Sequence, residues 1–323
     1  MKIKTCLTLF ITILALAACR HNSTNHEPVV GFVDAFEDAT IAQARKGFTD
    51  ALAKNGFSEA KHTVKIEYQN AQGDIPTLTQ IVNNFIGEKV NLLATSTTLS
   101  SITAAKRTQT IPIFMMVSPT LERMHLIGTN GKGPSNLFGT VEDLNYIDTS
   151  FAIIPAMLKV NGHKLRVGMI YNQSEPQSAD ALALIQQLAK KMNVEVVALP
   201  LNSSADAQLV TKALLDKQID AFFANPDNTV FAAFETILKS CNEKRVPVFT
   251  SEAGLVQRGA VAAFGADMYQ WGYQSGLQAA QFLKTHKTDG LQPEMVKVRK
   301  RVYNPAAAAK YHITIPPNFQ AVQ

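Results

Sequence analysis

The sequence lacks the motifs by which most enzymes of its size are recognised. It contains no GxxxxGK(S/T) phosphate loop, no GxSxG nucleophile motif and no HExxH metal motif. The glycine-rich run at 128–133 has no strand–turn–helix setting, so we interpret it as a surface loop rather than a dinucleotide site. These absences argue against the corresponding nucleotide, hydrolase and metal chemistries. We therefore predict no cofactor, no metal and no enzymatic activity.

Cysteine is also scarce, with Cys6, Cys19 and Cys241 the three in 323 residues. This number excludes a small disulfide-stapled scaffold, and the chain is long enough to be stabilised by a hydrophobic core. Cys241 falls on the apolar side of a predicted helix, which favours a core residue over a nucleophile.

A strong excess of positive charge is missing. The formal net charge is +5 and becomes +3 if a leader carrying Lys2 and Lys4 is removed. Such a mild and dispersed charge does not indicate a nucleic-acid partner. The one basic cluster, at 297–301, alternates partly with valines and is typical of the solvent face of a strand. A contact with a membrane surface is the alternative.

Long hydrophobic runs are absent except at the beginning of the chain. The run Cys6–Ala18 has 13 residues, too few for a membrane-spanning helix of about 20 and suited to an export signal. It ends in Leu-Ala-Ala before Cys19, which resembles a bacterial lipobox. We predict a signal peptide at 1–18, an acylated Cys19 (palmitate among its acyl chains) and a polar tether over 19–28. A plain secretory signal with an incidental cysteine is the alternative.

Beyond the tether, short apolar runs alternate with apolar stripes at helical spacing. The predicted strands lie at 29–33, 64–68, 90–94 and 111–117, then at 165–171, 194–199, 221–224 and 246–250. This order predicts an α/β fold with two doubly wound parallel-sheet domains, joined by a hinge and separated by a ligand cleft. We place the first domain at 29–140, with a return of about 273–323, and the second at 141–272.

Polar residues follow the predicted strands where parallel strands would end together. They are Thr95, Ser96, Thr97, Ser118, Asn172, Glu175, Ser178, Asp227, Asn228, Ser251 and Glu252. Hydroxyls at helix N-termini attract a carboxylate, and carboxylates attract an ammonium, so together they would suit an amino-acid zwitterion. The alternative for each residue is an ordinary helix N-cap.

Several runs are similar to one known family. They are AQARKGFTDAL at 42–52, VKIEYQNAQGD at 64–74, DNTV at 227–230 and YNPAAAA at 303–309. The chain resembles the ABC-transporter substrate-binding proteins of the tryptophan/tyrosine type over about 29–316. That resemblance implies a type I periplasmic-binding fold.

The resemblance also implies a function and roles for the predicted residues. It implies a lipoprotein facing the periplasm or cell exterior, held in the bilayer through Cys19, that delivers a small ligand, often an aromatic amino acid, to an ABC permease. Thr95–Thr97 and Ser118 would bind the ligand carboxylate, and Asp227 its amino group. Phe36 and Tyr171 would supply an aromatic wall.

The sequence departs from the family pattern in two places, and two alternative functions stay open. The run 34–40 and the pair Ser118-Pro119 differ from the family pattern, and both are expected to line the cleft. A sensor that presents its ligand to a membrane receptor would use the same closed form. An enzyme on the same scaffold would need a pair such as Glu175 and Glu252 as acid and base.

Overall fold

The computed structural model describes residues 27–322, and both the predicted signal peptide and Cys19 lie outside them. The strands are β1 (Val29–Asp34), β2 (Lys65–Asn70), β3 (Leu92–Thr95), β4 (Ile113–Met115), β5 (Leu137–Val141), β6 (Arg166–Tyr171), β7 (Glu195–Pro200), β8 (Ala221–Ala224), β9 (Val248–Thr250), β10 (Ala262–Ala266), β11 (Glu294–Met295), β12 (Arg299–Tyr303) and β13 (Gln320–Ala321). The helices are α1 (Ala39–Lys54), α2 (Ile75–Gly87), α3 (Thr98–Arg107), α4 (Asn145–Met157), α5 (Pro176–Met192), α6 (Ala207–Leu215), α7 (Asn228–Ala232), α8 (Phe234–Glu243), α9 (Ala253–Gln257), α10 (Met268–Thr285) and α11 (Pro305–Lys310). The predicted alternation of strands and helices is confirmed.

Two parallel sheets form the centres of the two halves. The first has the strand order β11-β5-β4-β3-β1-β2, and every pairing in it is parallel. The second has the order β7-β6-β8-β9 and is also parallel throughout. Their central strands are buried, as expected when helices cover both faces of a sheet. The predicted fold class, two doubly wound α/β halves, is confirmed.

A small third sheet extends the second half. It has the order β10-β12-β13, and β10 runs beside β9 through a bridge between Glu252 and Ala266. The chain therefore passes between the halves three times, after β5, after β10 and between β11 and β12. Three crossings at one edge form a hinge.

The end of the chain differs from our expectation that 273–323 returns to the first half. Helix α10 and strand β11 do lie there, but β12 pairs antiparallel with β10, with Ala262 opposite Tyr303. Val302 is the one buried residue of β12, so the sequence of this strand does not specify the sheet that it joins.

Helices of both halves begin where strands end. Asp38 accepts hydrogen bonds from the backbone N–H groups of Thr40 and Ile41 at the start of α1. Thr97 caps α3, Asp227 caps α7 and Asp267 caps α10 in the same manner. These caps bring polar side chains and helix N-termini to one edge of each sheet.

Helices α1 and α10 approach so closely that glycine is required where they cross. A β-carbon on Gly272 would lie 1.8 Å from the carbonyl oxygen of Ala44, and one on Gly47 would lie 1.9 Å from that of Tyr269. Backbone therefore packs directly on backbone. This contact fixes α10, whose first turn reaches the cleft, to the first half.

We expect Gly272→Ala to lower the free energy of unfolding by about 1–3 kcal/mol or more, because the added methyl forces the two helices apart. Gly87→Ala is the matched control: Gly87 ends α2 and has no atom within 4 Å of an added β-carbon. This change should cost nothing and can add up to about 1 kcal/mol. Urea unfolding of both variants measures the difference, and equal stabilities would contradict the packing described here.

Candidate functional site

The carboxyl ends of the two parallel sheets face each other, and their loops are in contact. Arg258, just after α9 in the second half, forms an ion pair with Asp38 of the first half at 2.5 Å and donates to Thr40 Oγ1 at 3.0 Å. Gln43 and Gln257 are joined at 3.2 Å, and Arg123 contacts Asp180 at 3.2 Å. The two halves are thus closed on each other.

A small cavity of about 30 Å³ lies inside this closed seam, and we call it the inner cavity. It is lined by Ile41, Thr97, Thr98, Val117, Pro119, Glu142, Tyr146, Gln177, Pro226, Asn228, Phe231, Met268 and Trp271. One water needs about 10–15 Å³ of such space, so the cavity has room for two or three waters at most in this conformation. A larger occupant requires the halves to separate.

Aromatic rings form the walls of the inner cavity. Tyr146 and Trp271 meet edge to face with ring centroids 5.5 Å apart. The indole N–H of Trp271 donates to the carbonyl of Val298 at 3.1 Å, which fixes the orientation of the ring. Phe231 of α7 adds a ring from the second half. Three aromatic side chains thus contribute to a lining that also contains polar residues.

Two carboxyl groups stand at or beside the inner cavity. Glu142 follows β5 and accepts a hydrogen bond from the Leu144 N–H. Burial raises the pKa of Glu142 to about 8, and nearby Glu252 adds to the rise. Burial likewise raises the pKa of Glu252 to about 8, opposed by the hydroxyls of Ser251 and Tyr146. Both groups are therefore mostly protonated at neutral pH in the closed form.

The hydroxyls predicted to bind a ligand carboxylate lie together in the first half. Thr95 Oγ1 and Ser118 Oγ each lie 2.7 Å from the hydroxyl of Ser101, so they bond within the protein. Thr97 caps α3 and lines the inner cavity. Ser96 is buried beside the carboxyl of Asp34, whose pKa burial raises to about 6.

Asp227 is occupied by donors of the protein. Its Oδ2 accepts from the Asn172 N–H at 2.6 Å and from Ser178 Oγ at 2.5 Å, and its Oδ1 accepts from the Val230 N–H at 2.9 Å. These bonds tie the loop after β6 to the start of α7. The geometry gives Asp227 a bracing role, which weakens the hypothesis that it holds a ligand ammonium.

Glu175 braces the same loops from the other side. Its Oε2 accepts from the N–H and the side-chain amide of Asn228, each at 2.8 Å, and its Oε1 accepts from the Thr229 N–H and hydroxyl. Burial raises the pKa of Glu175 to about 8, and the charge of Asp227 adds to the rise. With every oxygen engaged, Glu175 is poorly placed to act as an acid or base.

A second, larger cavity of about 210 Å³ opens at the mouth of the cleft, and we call it the outer cavity. It is lined by Phe36, Glu37, Gln72, Gly73, Asn172, Asn202, Ser203, Ser204, Thr229 and Ala232. Helix α7 separates the two cavities, because Asn228 and Phe231 line the inner one while Thr229 and Ala232 line the outer one. Phe36 and Asn172 of the predicted set therefore lie at the outer cavity. Tyr171 lines neither of the two and accepts a bond from Gln173.

Sequence reasoning missed most of the inner wall. The missed residues are Ile41, Thr98, Val117, Pro119, Glu142, Tyr146, Gln177, Pro226, Phe231, Met268 and Trp271. A signal existed for a few of them: Pro119 and Pro226 stand beside predicted polar residues at strand ends, and Glu142 follows the strand-like run 137–141. The aromatic residues carried no signal that separates a cleft wall from a core.

Among residues 27–322, no group of three or more His, Cys, Asp or Glu could hold a metal ion. In the same range, no helix combines the length and apolar character needed to cross a bilayer.

Comparison with known proteins agrees with this geometry. Residues 29–322 match the family model described as ABC transporter substrate binding protein. This chain belongs to that family. Substrate-binding proteins of ABC transporters are extracytoplasmic binding proteins rather than enzymes. The family resemblance inferred from the sequence is thus confirmed.

Three relatives illustrate the match. A tyrosine-binding protein of Clostridioides difficile is 30% identical over 255 residues, covering 79% of this chain and 72% of the relative. A Streptococcus pneumoniae ABC domain in complex with L-Trp superposes with a TM-score of 0.80 at 22% identity, over 90% of this chain and 96% of that one. A ligand-free, open substrate-binding protein of Clostridium difficile gives 0.64 at 25% identity, over 92% and 99%.

For this family member we expect Asp227→Ala to lower the free energy of unfolding by about 2 kcal/mol or more. The change removes a helix cap and also leaves buried donors of Asn172 and Ser178 without their acceptor. Asp74→Ala is the control, because Asp74 is exposed and caps α2 through a single bond to the Thr77 N–H. That loss should be about 1 kcal/mol. Equal losses in urea unfolding would contradict the bracing role.

Proposed function

We propose that this protein is the lipid-anchored receptor of an ABC importer and that it binds an aromatic amino acid by closing its two halves around it. The inner cavity carries this proposal. It lies between the halves, its walls are the rings of Tyr146, Phe231 and Trp271, and Glu142 is a carboxyl group among them.

The size of the inner cavity supports a hinge mechanism. A cavity of about 150 Å³ can bind a benzene ring, and that volume is several times the volume of the inner cavity here. A ligand must therefore enter while the halves are apart, and its contacts with both halves then favour closure. Arg258, which bonds Asp38 and Thr40 across the seam, would hold the closed form around the ligand.

The relatives support the same ligand class. One is described as tyrosine-binding, and another was solved with L-Trp. Both ligands carry an aromatic ring, an ammonium and a carboxylate, which would meet the ring walls, Glu142 and the start of α3 in this chain. Thr97 and Thr98, at the first turn of α3, supply donors and a favourable helix dipole for the carboxylate.

Trp271 makes the proposal directly testable, because it is the single tryptophan of the chain and it lines the inner cavity. The experiment uses protein from which carried ligand has been stripped by unfolding and refolding. L-Tyr and L-Phe should change the Trp271 emission and raise the melting temperature, and L-Trp should raise the melting temperature. A ligand at 100 times its dissociation constant adds about 2.7 kcal/mol to stability. L-Ala, L-Lys and glucose should do neither.

Two matched variants locate the ligand. Phe231→Leu alters the inner wall and should weaken binding about 2–10-fold, since an aromatic contact contributes about 0.5–1.5 kcal/mol. Phe36→Leu alters the outer cavity alone and should leave affinity nearly unchanged. If Phe36→Leu has the larger effect, the ligand lies in the outer cavity; if no aromatic amino acid binds the well-folded protein, the proposed function is wrong.

The anchor is proposed from the sequence motif ending at Cys19. In a bacterial host, the full-length chain should fractionate with membranes and incorporate labelled palmitate, whereas Cys19→Ser should be unlabelled and soluble. Cys241→Ser is the control, because Cys241 is buried in the second half and should not change either result. A Cys19→Ser protein that still takes up label would contradict lipidation at this residue.

A further inference from the structure

Two buried acceptor atoms at or beside the inner cavity have no hydrogen-bond partner among residues 27–322. Gln177 lines it, and its Oε1 is buried with no hydrogen-bond partner among residues 27–322, because its Nε2 donates to Glu175. Glu252 Oε2 is likewise buried and unpartnered in that range. A buried acceptor without a donor costs about 1–3 kcal/mol. Gln177 Oε1 is thus an unpaired acceptor at the inner cavity, next to the carboxyl group of Glu142 in the same lining.

Glu142 is held rigidly at the same cavity. Its backbone N–H donates to the carbonyl of Ser118, and its carbonyl accepts from the Thr120 N–H, which fixes the residue between the ends of β4 and β5. Its Oε2 accepts from the Leu144 N–H. The carboxyl group cannot swing out to solvent without breaking these contacts, and 4% of the residue is exposed.

Few cations offset these acids. The groups that act on Glu142 are Glu252 and Asp143, which are acidic, and the more weakly acting Arg123. Those that act on Glu252 are Tyr146, the Ser251 hydroxyl and Asp38. Burial and the charges of Glu252 and Glu142 raise the pKa of Tyr146, and the charge of Arg299 opposes that rise. Glu175 and Asp227, the other buried acids nearby, are saturated by loop donors and do not line the inner cavity.

We propose that Glu142 recognises the ammonium group of the ligand and gives up its own proton when that group binds. This inference rests on the proposed function and names the group that recognises the ammonium of the ligand. An ammonium carries three N–H donors and no acceptor, which matches the acceptor oxygens of Glu142, Gln177 and Glu252. The proton leaves the carboxyl oxygen of Glu142 for solvent, and the resulting carboxylate pairs with the ammonium.

This exchange makes ligand affinity depend on pH. Burial raises the pKa of Glu142 to about 8, so the carboxyl is protonated at pH 6 before a ligand binds. The bound ammonium favours the carboxylate and lowers that pKa. Affinity should therefore rise with pH, by at most about tenfold per unit for one released proton, and level off near pH 8.

The experiment measures L-tyrosine binding by calorimetry at pH 6.0, 7.0 and 8.0, in buffers of different ionisation enthalpy. The wild type should release close to one proton at pH 7. Glu142→Gln, which resembles the protonated carboxyl in shape and should fold, should bind at least 10-fold more weakly at pH 8 and release few protons. Glu88→Gln is the matched control, because Glu88 is exposed at the far edge of the first half.

Two analogues separate this inference from the proposed function. 3-(4-Hydroxyphenyl)propionate lacks the ammonium, so Glu142→Gln should not weaken its binding; tyramine keeps the ammonium and should show the same loss as L-tyrosine. If the wild type binds L-tyrosine but Glu142→Gln matches it in affinity and proton release, the role of Glu142 is wrong and the receptor function stands. If neither L-tyrosine nor any other aromatic amino acid binds the well-folded wild type, both are wrong.

Discussion

The meeting of two sets of strand ends is the constraint on which the rest of this structure depends. Parallel strands end on the same edge, and the helices that follow them begin there with Asp or Thr caps. When two such edges face each other, backbone N–H groups, cap side chains and helix dipoles of both halves are directed into one seam. The three chain crossings keep those edges opposed. Nearly every residue discussed here owes its place to this arrangement.

The seam contains two kinds of acid, and their environments separate their roles. Asp227 and Glu175 accept hydrogen bonds from neighbouring loops and hold α7 in place. Glu142 and Glu252 are as deeply buried but accept fewer hydrogen bonds, and burial raises their pKa values to about 8, as it does that of Glu175. The first pair gives the second half a defined surface, whereas Glu142 lies in the cavity lining, where a ligand could reach it.

Much of the fold could be predicted from periodicity and order alone. Buried strands such as Leu92–Thr95 are short apolar runs in the sequence. Helix α2 is an apolar stripe at helical spacing that follows a capping Asp and a proline. The pairing of β12 could not be predicted, because three of its five residues are exposed basic side chains and Val302 alone is buried. The helical stretch over 228–243 is divided at Ala233 into α7 and α8, and no glycine or proline marks the break in the sequence.

The candidate site was less predictable, for a physical reason. Sequence indicates which polar residues stand at strand ends, but not whether a side chain turns towards the cleft or back into its own loop. Asp227 and Glu175 turn back. The aromatic residues Tyr146 and Trp271 are as apolar in pattern as core residues, since a closed cleft wall is itself buried. Glu142 stood outside the predicted set because it follows the strand at which the chain leaves the first half.

The glycine-mediated contact between α1 and α10 determines how the ligand specificity of such a receptor can change. Trp271 sits in the first turn of a helix whose backbone lies directly on that of its neighbour, so this wall has no room to shift or tilt. Helix α7 is short and is held in place by hydrogen bonds to neighbouring loops. Its Phe231 lines the same inner cavity. New ligand shapes are therefore accommodated by remodelling the α7 side, while the Trp271 side serves as the fixed reference surface.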